Sequence, residues 1–367
     1  MQPDFSCDLW TYLQNSPKKK ILYGMGNGAD KILAVCHQKG IEIDGVFASD
    51  GFVRGHSFHG MTVLTWSKIK EAYGAENVIV LLAFGSSRKD VLENIYRIAE
   101  ETELYAPDVP AFGDGVFDLA FAKAHRQELE AAYALLSDGE SRRIYENVVR
   151  FKLTGDIQAL RAAESDPLEI AERLVRPQEL RVSVDLGAYN GDTVRSLLDA
   201  SKGSLQRIYA MEPDPRNFRK LETYAKEEER AEVIPFPVGA WSQRELLSFD
   251  VSGNRNASFG ENRSHALDNR PAKCKEIQAD TVDNLLRDAP TVDYIKYDVE
   301  GAEREALLGS KATVDRFHPT LLVSLYHRNE DLFALPLLVH SLFPFYQGFY
   351  LRRLYGIPAW DLNLYVK

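Results

Sequence analysis

Apolar positions follow two different periods along this chain. Short apolar runs, most of them closed by a glycine or an acid, fall near residues 20–24, 43–48, 77–83, 182–186, 206–212, 233–240, 294–298 and 320–326. Between them, apolar residues recur at three- and four-residue spacing. Buried strands alternating with amphipathic helices predict an α/β architecture with largely parallel sheets. The stretch 117–178 breaks the rhythm. It is rich in Ala, Leu, Glu and Arg and carries two helical stripes, Leu129, Ala132, Tyr133, Leu136 and then Tyr145, Val148, Val149, Leu153. Ser137-Asp-Gly-Glu-Ser141, Gly155 and Pro167 punctuate it, which predicts three helices and no solenoid repeat. The pattern divides the chain into a Rossmann-like α/β domain over 1–115, a helical connector over 116–179 and a second α/β domain over 180–367. The connector is expected to pack across the mouth of the second domain or to offer a surface for a homodimer.

The second domain opens on Val182-Ser-Val-Asp-Leu-Gly-Ala-Tyr-Asn-Gly-Asp-Thr193, a strand, a glycine turn and a helix start. Gly187 and Gly191 let a ligand approach the main chain, and Asp192 and Thr193 are placed to cap the helix. Such a loop at the carboxyl end of a parallel strand is where open α/β sheets bind nucleotides. The next strand ends in Glu212-Pro-Asp-Pro215, about 25 residues after the loop, where an acid can accept both hydroxyls of a ribose. A third strand runs through Gly239 and Ala240 into Trp241, which is either a neighbour of an adenine ring or a core residue. The glycine spacing lacks the close pair that receives a pyrophosphate. Asp185, Asp192 and Glu212 instead make an acidic rim that suits an ammonium and a sulfonium. S-adenosylmethionine is the common ligand of that description.

The motifs Asp185-Leu-Gly-Ala-Tyr-Asn-Gly-Asp-Thr193, Glu212-Pro-Asp-Pro-Arg-Asn-Phe218 and Asp293-Tyr-Ile-Lys-Tyr-Asp-Val-Glu-Gly-Ala-Glu303 occur in that order. On them, residues 180–367 resemble the FkbM family of S-adenosylmethionine-dependent methyltransferases. The resemblance implies a seven-stranded Rossmann-like methyltransferase sheet with one reversed strand, expected at the edge as residues 363–367. It implies methyl transfer, usually to oxygen, on a sugar-like or polyketide-like hydroxyl. Cofactor contacts are then expected from Asp185, Gly187, Ala188, Asn190, Gly191, Asp192, Thr193, Glu212, Pro213, Asp214, Gly239, Ala240, Trp241 and Asp298. Tyr189-Asn190 departs from the pattern of many members and reshapes the methionine side of the loop.

Strand alternation places Lys296, Asp298 and Glu300 on one face. A buried lysine among carboxylates reads either as an ion pair that fixes strand and loop or as part of a reaction centre. In the second reading Asp298 faces the transferred methyl, and Glu300 or Lys296 positions the acceptor hydroxyl. His327, at the end of the adjacent strand, serves as a base for the hydroxyl proton or as a structural partner of a carboxylate. Asp298, Glu300 and His327 are also a set that can hold a divalent cation. Residues 253–271 are rich in Asn, Ser, Arg and Gly and carry Arg255, Arg263, His265 and Arg270, a solvated loop or a cationic lid.

The first domain carries Gly24-Met-Gly26-Asn-Gly28-Ala29 after a short strand, a G-x-G-x-x-A loop. The next strand ends near Asp50, about where a ribose partner would sit. With the Gly55/Gly60 turn, this region resembles the small N-terminal nucleotide-sugar-binding domain of bacterial sugar O-acetyltransferases. A nucleotide or sugar nucleotide at Gly24–Ala29 and Asp50 and a purely architectural role are both open. His56 and His59 lack a third metal ligand in sequence.

Composition narrows the partners. The 367 residues are 45% hydrophobic and 27% charged with a formal net charge of −10, and no long basic run is present. That speaks against a broad nucleic-acid footprint. Cys7, Cys36 and Cys274 have no metal-ligand spacing, and no apolar run reaches membrane length. The start of the chain lacks a basic segment followed by an apolar one, so a reduced, cytoplasmic protein is expected. The leading expectation is an O-methyltransferase for a small-molecule or glycan acceptor. The alternatives are a nucleotide-sugar-binding or regulatory protein with an inactive methyltransferase domain and, further off, a dinucleotide dehydrogenase.

Overall fold

The computed structural model describes residues 7–49, 55, 57–113, 115–250 and 274–367, the side chains of 249, 250, 274 and 275 excepted. Asp50, His56 and the 253–271 loop with its arginines lie outside the described residues. The chain is α/β and folds into two compact units, one of residues 1–130, 142–164 and 353–361, the other of residues 131–141, 165–352 and 362–367. The helical stretch 116–179 is thus shared out between them. It contains helices Leu119–Ala124, Arg126–Leu135, Gly139–Thr154 and Ile157–Ala162 before shorter turns, more pieces than the three expected.

The first unit is built on strands β1 (Lys19–Tyr23), β2 (Gly45–Phe47), β3 (Ser57–Phe58), β4 (Met61–Leu64), β5 (Val78–Leu82) and β6 (Glu103–Tyr105), in sheet order β3-β4-β2-β1-β5-β6. All neighbours are parallel except the β3–β4 hairpin. β5 is apolar throughout because helices cover both faces of a parallel sheet. The Gly24–Ala29 loop joins β1 to helix Asn27–Gln38. A Cβ on Gly28 would stand 2.3 Å from the Ala83 carbonyl oxygen, so the loop packs tightly against the end of β5. Ala29 is fully buried there, which is what the small last position of the loop motif requires.

The second unit holds β7 (Val182–Leu186), β8 (Arg207–Met211), β9 (Glu232–Phe236), β10 (Gly239–Ala240), β11 (Glu245–Asp250), β12 (Cys274–Asp280), β13 (Tyr294–Tyr297), β14 (Thr320–Ser324), β15 (Phe349–Arg353) and β16 (Leu362–Val366). Seven of them form one sheet in the order β15-β16-β14-β13-β7-β8-β9. β16 runs antiparallel to β14 and lies between it and β15. The reversed strand is therefore inside the sheet, not at its edge, and β15 takes the edge. The reason is local: 354–361 lets the chain turn back, so the last strand inserts beside the one it leaves. β10, β12 and β11 form a separate three-stranded sheet, so Gly239 and Ala240 leave the strand line that 233–240 suggested.

Within this unit Arg352 is fully buried, and its guanidinium meets Glu169 at 2.9 Å and Asp138 at 2.8 Å. Burial alone would lower the Arg352 charge, but these carboxylates outweigh it and hold it fixed. The same contacts hold Asp138 down at about 2, against the opposing effect of burial. Arg352→Ala is expected to cost about 3 kcal/mol or more, because it strands carboxylates in a shielded place. Arg352→Lys should recover only part, since an ammonium lacks the two-pronged geometry. Urea denaturation of the two variants measures both.

Candidate functional site

β7 and β13 are adjacent, and the chain leaves them in opposite directions across the sheet, which makes their carboxyl ends the topological switch point. Asp185 and Lys296 stand in register on the two strands. The Lys296 ammonium lies 3.3 Å from Asp185 Oδ1 and 3.1 Å from Asp298 Oδ2. Burial opposes its charge, but the two carboxylates outweigh burial and raise its pKa. Lys296 is thus held as an ammonium between the end of β7 and the loop after β13. The other Asp185 oxygen accepts the Thr193 hydroxyl.

The glycine turn follows from packing. Gly187 has φ of +85°, and a Cβ there would lie 2.0 Å from the Asp298 carbonyl oxygen. Gly191, at +84°, sits against the Tyr224 ring and precedes helix Asp192–Ser201. The N-cap of that helix is the αL Gly191, which has no side chain to offer. Asp192 Oδ1 accepts the Thr193 amide at 2.8 Å, so Asp192 takes up one first-turn donor, whereas the Thr193 hydroxyl is spent on Asp185 and caps nothing. The Gly187 and Ala188 amides both donate to the Met211 carbonyl at 3.0 Å, which leaves the loop oriented by the neighbouring strand. Asn190 Oδ1 is buried and has no donor among the described residues.

Glu212 ends β8 and is buried. Its oxygens accept the Tyr189 amide at 2.9 Å and the Asp214 amide at 2.8 Å. Burial is the main cause that pushes its carboxyl up to about 7, and the two amides pull the other way. No cation pairs with it among the described residues. Asp214 is the cap of helix Pro215–Glu227, accepting the Arg216 and Asn217 amides at 2.8 and 2.9 Å, so its carboxylate is committed to the helix. Trp241 is half-buried, and its amide donates to the Asp280 carbonyl at 3.0 Å.

A second cluster fills the ends of β13 and β14. β13 stops at Tyr297, so simple alternation does not carry Glu300 onto the Lys296 face. A left-handed residue does it: Glu300 has φ of +54° and Gly301 +90°, and the turn brings the Glu300 carboxylate to 3.5 Å from His327 Nε2. Asp298 Oδ1 is 3.6 Å from the same nitrogen and accepts the Tyr326 hydroxyl at 2.8 Å. His327 Nδ1 lies 2.9 Å from Glu303 Oε1, which also accepts the Val299 amide at 2.9 Å. Burial opposes the His327 charge but Glu303, Asp298 and Glu300 outweigh it and push the imidazole up to about 10. Asp298 is drawn down to about 2 by Lys296 and His327 against burial, and Glu300 is pushed up to about 7, chiefly by burial. Asp331, nearby and buried, is raised by burial and by Glu303.

The structure brings Asp185, Lys296, Asp298, Glu300 and His327 together and sets the Gly187–Thr193 loop and Glu212 beside them on adjoining strands. His327 is 1% exposed and already favours the imidazolium, so the removal of a hydroxyl proton falls less naturally on it than on the 38% exposed Glu300 side chain. Glu303, expected at this strand end with Lys296, Asp298 and Glu300, is there and lies behind the imidazole. Tyr326 and Asp331 are additions that sequence reading did not single out. A cavity of about 280 Å³ near Arg176, Asp293, Thr320 and Lys367 opens at the amino ends of β13 and β14, the opposite end of the sheet.

Residues 185–349 match a sequence-family model described as the Methyltransferase FkbM domain. The crystal structure of the methyltransferase FkbM from Methylobacillus flagellatus KT matches with a TM-score of 0.69 at 19% identity, over 96% of this chain and 90% of that one. Both units thus have counterparts in that fold. An rRNA methylase from Streptococcus thermophilus covers 55% of this chain and 96% of its own, with 14% identity and a TM-score of 0.34. Fibrillarin from Aeropyrum pernix, in complex with S-adenosyl-L-methionine, covers 51% and 66%, with 13% identity and a TM-score of 0.32. No curated protein matches the sequence.

Gly187→Ala should destabilise the second unit by about 2 kcal/mol beyond the backbone strain of a positive φ, because its methyl meets the Asp298 carbonyl. Gly203, also at positive φ, has nothing within 4 Å of an added Cβ. Gly203→Ala therefore reports the strain alone, and the difference between the two urea midpoints gives the cost of the clash.

Proposed function

We propose that the second unit is an S-adenosylmethionine-dependent methyltransferase that methylates a hydroxyl of a sugar, glycan or related hydroxylated metabolite. One observation carries this reading: a buried acid, Glu212, ends the strand beside the glycine turn and has no cation of its own among the described residues. The residues present fit the cofactor. Asn190 Oδ1, buried and without a donor among the described residues, is an acceptor beside the turn for an ammonium group. Glu212 can accept ribose hydroxyls, and Asp185 and Asp298 supply negative charge at the strand ends. The FkbM domain match over 185–349 supports the same ligand class.

The bound cofactor supplies an electrophilic methyl on a sulfonium. The chain contributes position and proton handling. Lys296 fixes Asp185 and Asp298 relative to each other, so the turn and the end of β13 hold one geometry. Transfer would leave a neutral thioether on the cofactor, and the acceptor hydroxyl would have to give up its proton to a group of this chain or to solvent. The half-exposed Glu300, near neutrality in its pKa, can take that proton. In the first unit, we propose that the Gly24–Ala29 loop, whose Gly24 and Gly26 have positive φ, receives a nucleotide or sugar nucleotide.

Calorimetric titration with S-adenosylmethionine should show one site per chain, and Glu212→Gln should weaken it at least tenfold. Glu212 carries a raised folded pKa, so it is ionised above about pH 7 and protonated below. A protonated carboxyl loses half its accepting capacity. Affinity should therefore fall as pH drops below 7, by up to about tenfold per unit, while Glu212→Gln shows a flat profile. Absence of binding at millimolar cofactor sinks the reading.

A further inference from the structure

We propose that Asp298, Glu300 and His327 bind one divalent cation of the Mn²⁺ or Mg²⁺ class, with Glu303 holding the imidazole in place. The geometry is a converging donor set on one nitrogen. Asp298 Oδ1 and Glu300 Oε2 stand 3.6 and 3.5 Å from His327 Nε2, on the side of the ring away from Glu303. Donors about 2.1 Å from an octahedral ion lie about 3.0 Å apart, so each of these oxygens would have to draw about half an ångström nearer to Nε2. Asp298, Glu303 and His327 also offer ligand atoms within 4.8 Å of one another.

Glu303 is assigned to the imidazole rather than to the ion. Its Oε1 is 2.9 Å from Nδ1 and is itself held by the Val299 and Gly301 amides. A carboxylate on Nδ1 keeps a proton there and turns Nε2 outward, so that a metal ion displacing the Nε2 proton would meet its lone pair, the usual arrangement behind a metal-bound histidine. The charge balance points the same way. Glu300, Glu303 and Asp298 face one imidazole, while Lys296 is already divided between Asp298 and Asp185. A separate observation lies two residues on: Asn329 is 2% exposed, and its Oδ1 has no donor among the described residues. An oxygen-rich set with one imidazole suits Mn²⁺ or Mg²⁺ better than a thiophilic ion. The ion's service rests on the methyltransferase reading: adjacent hydroxyls of the acceptor bind it as a chelate, and it lowers the pKa of the one that attacks, so that with the ion bound Glu300 is a ligand and the proton passes to solvent instead of to Glu300. Specificity would then favour vicinal diols over isolated alcohols.

The test uses the full chain, treated with EDTA and desalted, then titrated with MnCl₂ and followed by electron paramagnetic resonance of free Mn²⁺. One Mn²⁺ per chain is expected, displaced by excess MgCl₂. Glu300→Gln and His327→Ala should each weaken Mn²⁺ at least tenfold. Glu303→Gln should weaken it by about 10- to 100-fold without changing the stoichiometry. Circular dichroism and S-adenosylmethionine titration of each variant check that the fold persists. No Mn²⁺ bound by the parent at millimolar concentration overturns the site, as does binding that none of the three substitutions changes. Cofactor binding without Mn²⁺ binding rejects the ion alone, whereas Mn²⁺ binding without cofactor binding rejects the methyltransferase reading and leaves the ion.

Discussion

The second unit depends on one ammonium. Lys296 sits where β7 and β13 part company, between Asp185 on one strand and Asp298 on the loop after the other. Three charged groups in so shielded a place are tolerable only together, since removing any one leaves the others without compensation. This constraint explains much around it. Asp185 has an oxygen free for Thr193, and Thr193 is then unable to cap its own helix. Gly187 must be glycine because the Asp298 backbone passes directly beneath it. Asp298 keeps its second oxygen for Tyr326 and the histidine cluster. The glycine turn and the His327 pocket are, in this sense, two sides of one ion pair.

Much of this was legible in the chain. The apolar runs located β1, β2, β5, β7, β8, β9, β13 and β14, and Asp185, Glu212 and Asp298 could be placed at strand ends because parallel strands end where their apolar run meets a polar residue. The placing of Lys296 among carboxylates followed from the cost of burying a lone charge. What the periodicity could not carry was the path after each strand. Glu300 reaches His327 through a left-handed turn, not through alternation, and the sequence pattern has no term for that. The contact between Glu303 and His327 joins residues far apart in the chain, so spacing could not reveal it. The position of β16 failed for a similar reason: order along the chain suggests an edge, but hydrogen bonding inserts the strand beside β14.

The two glycine loops show how little the motif itself decides. In the first unit, the loop is close to the dinucleotide pattern, yet its glycines are already required by the fold: Gly24 lies against the Phe84 ring and Gly28 against the Ala83 carbonyl. In the second unit, the pattern is looser, but the acids around it define a chemical preference. Charge at the strand ends, more than glycine spacing, separates a pyrophosphate site from one for a cationic nucleoside.

The chain visits each compact unit more than once, and the buried neighbours Arg352 and Arg353 fall on opposite sides of the last boundary. Residues 353–361 return to the first unit before β16 completes the sheet of the second. This makes the protein poorly modular. A gene segment cut at a single point takes from one half a piece of its interior, so a single cut cannot hand the second unit to another protein whole. Removing the first unit whole would take with it residues 353–361, the segment that carries the chain from β15 to β16.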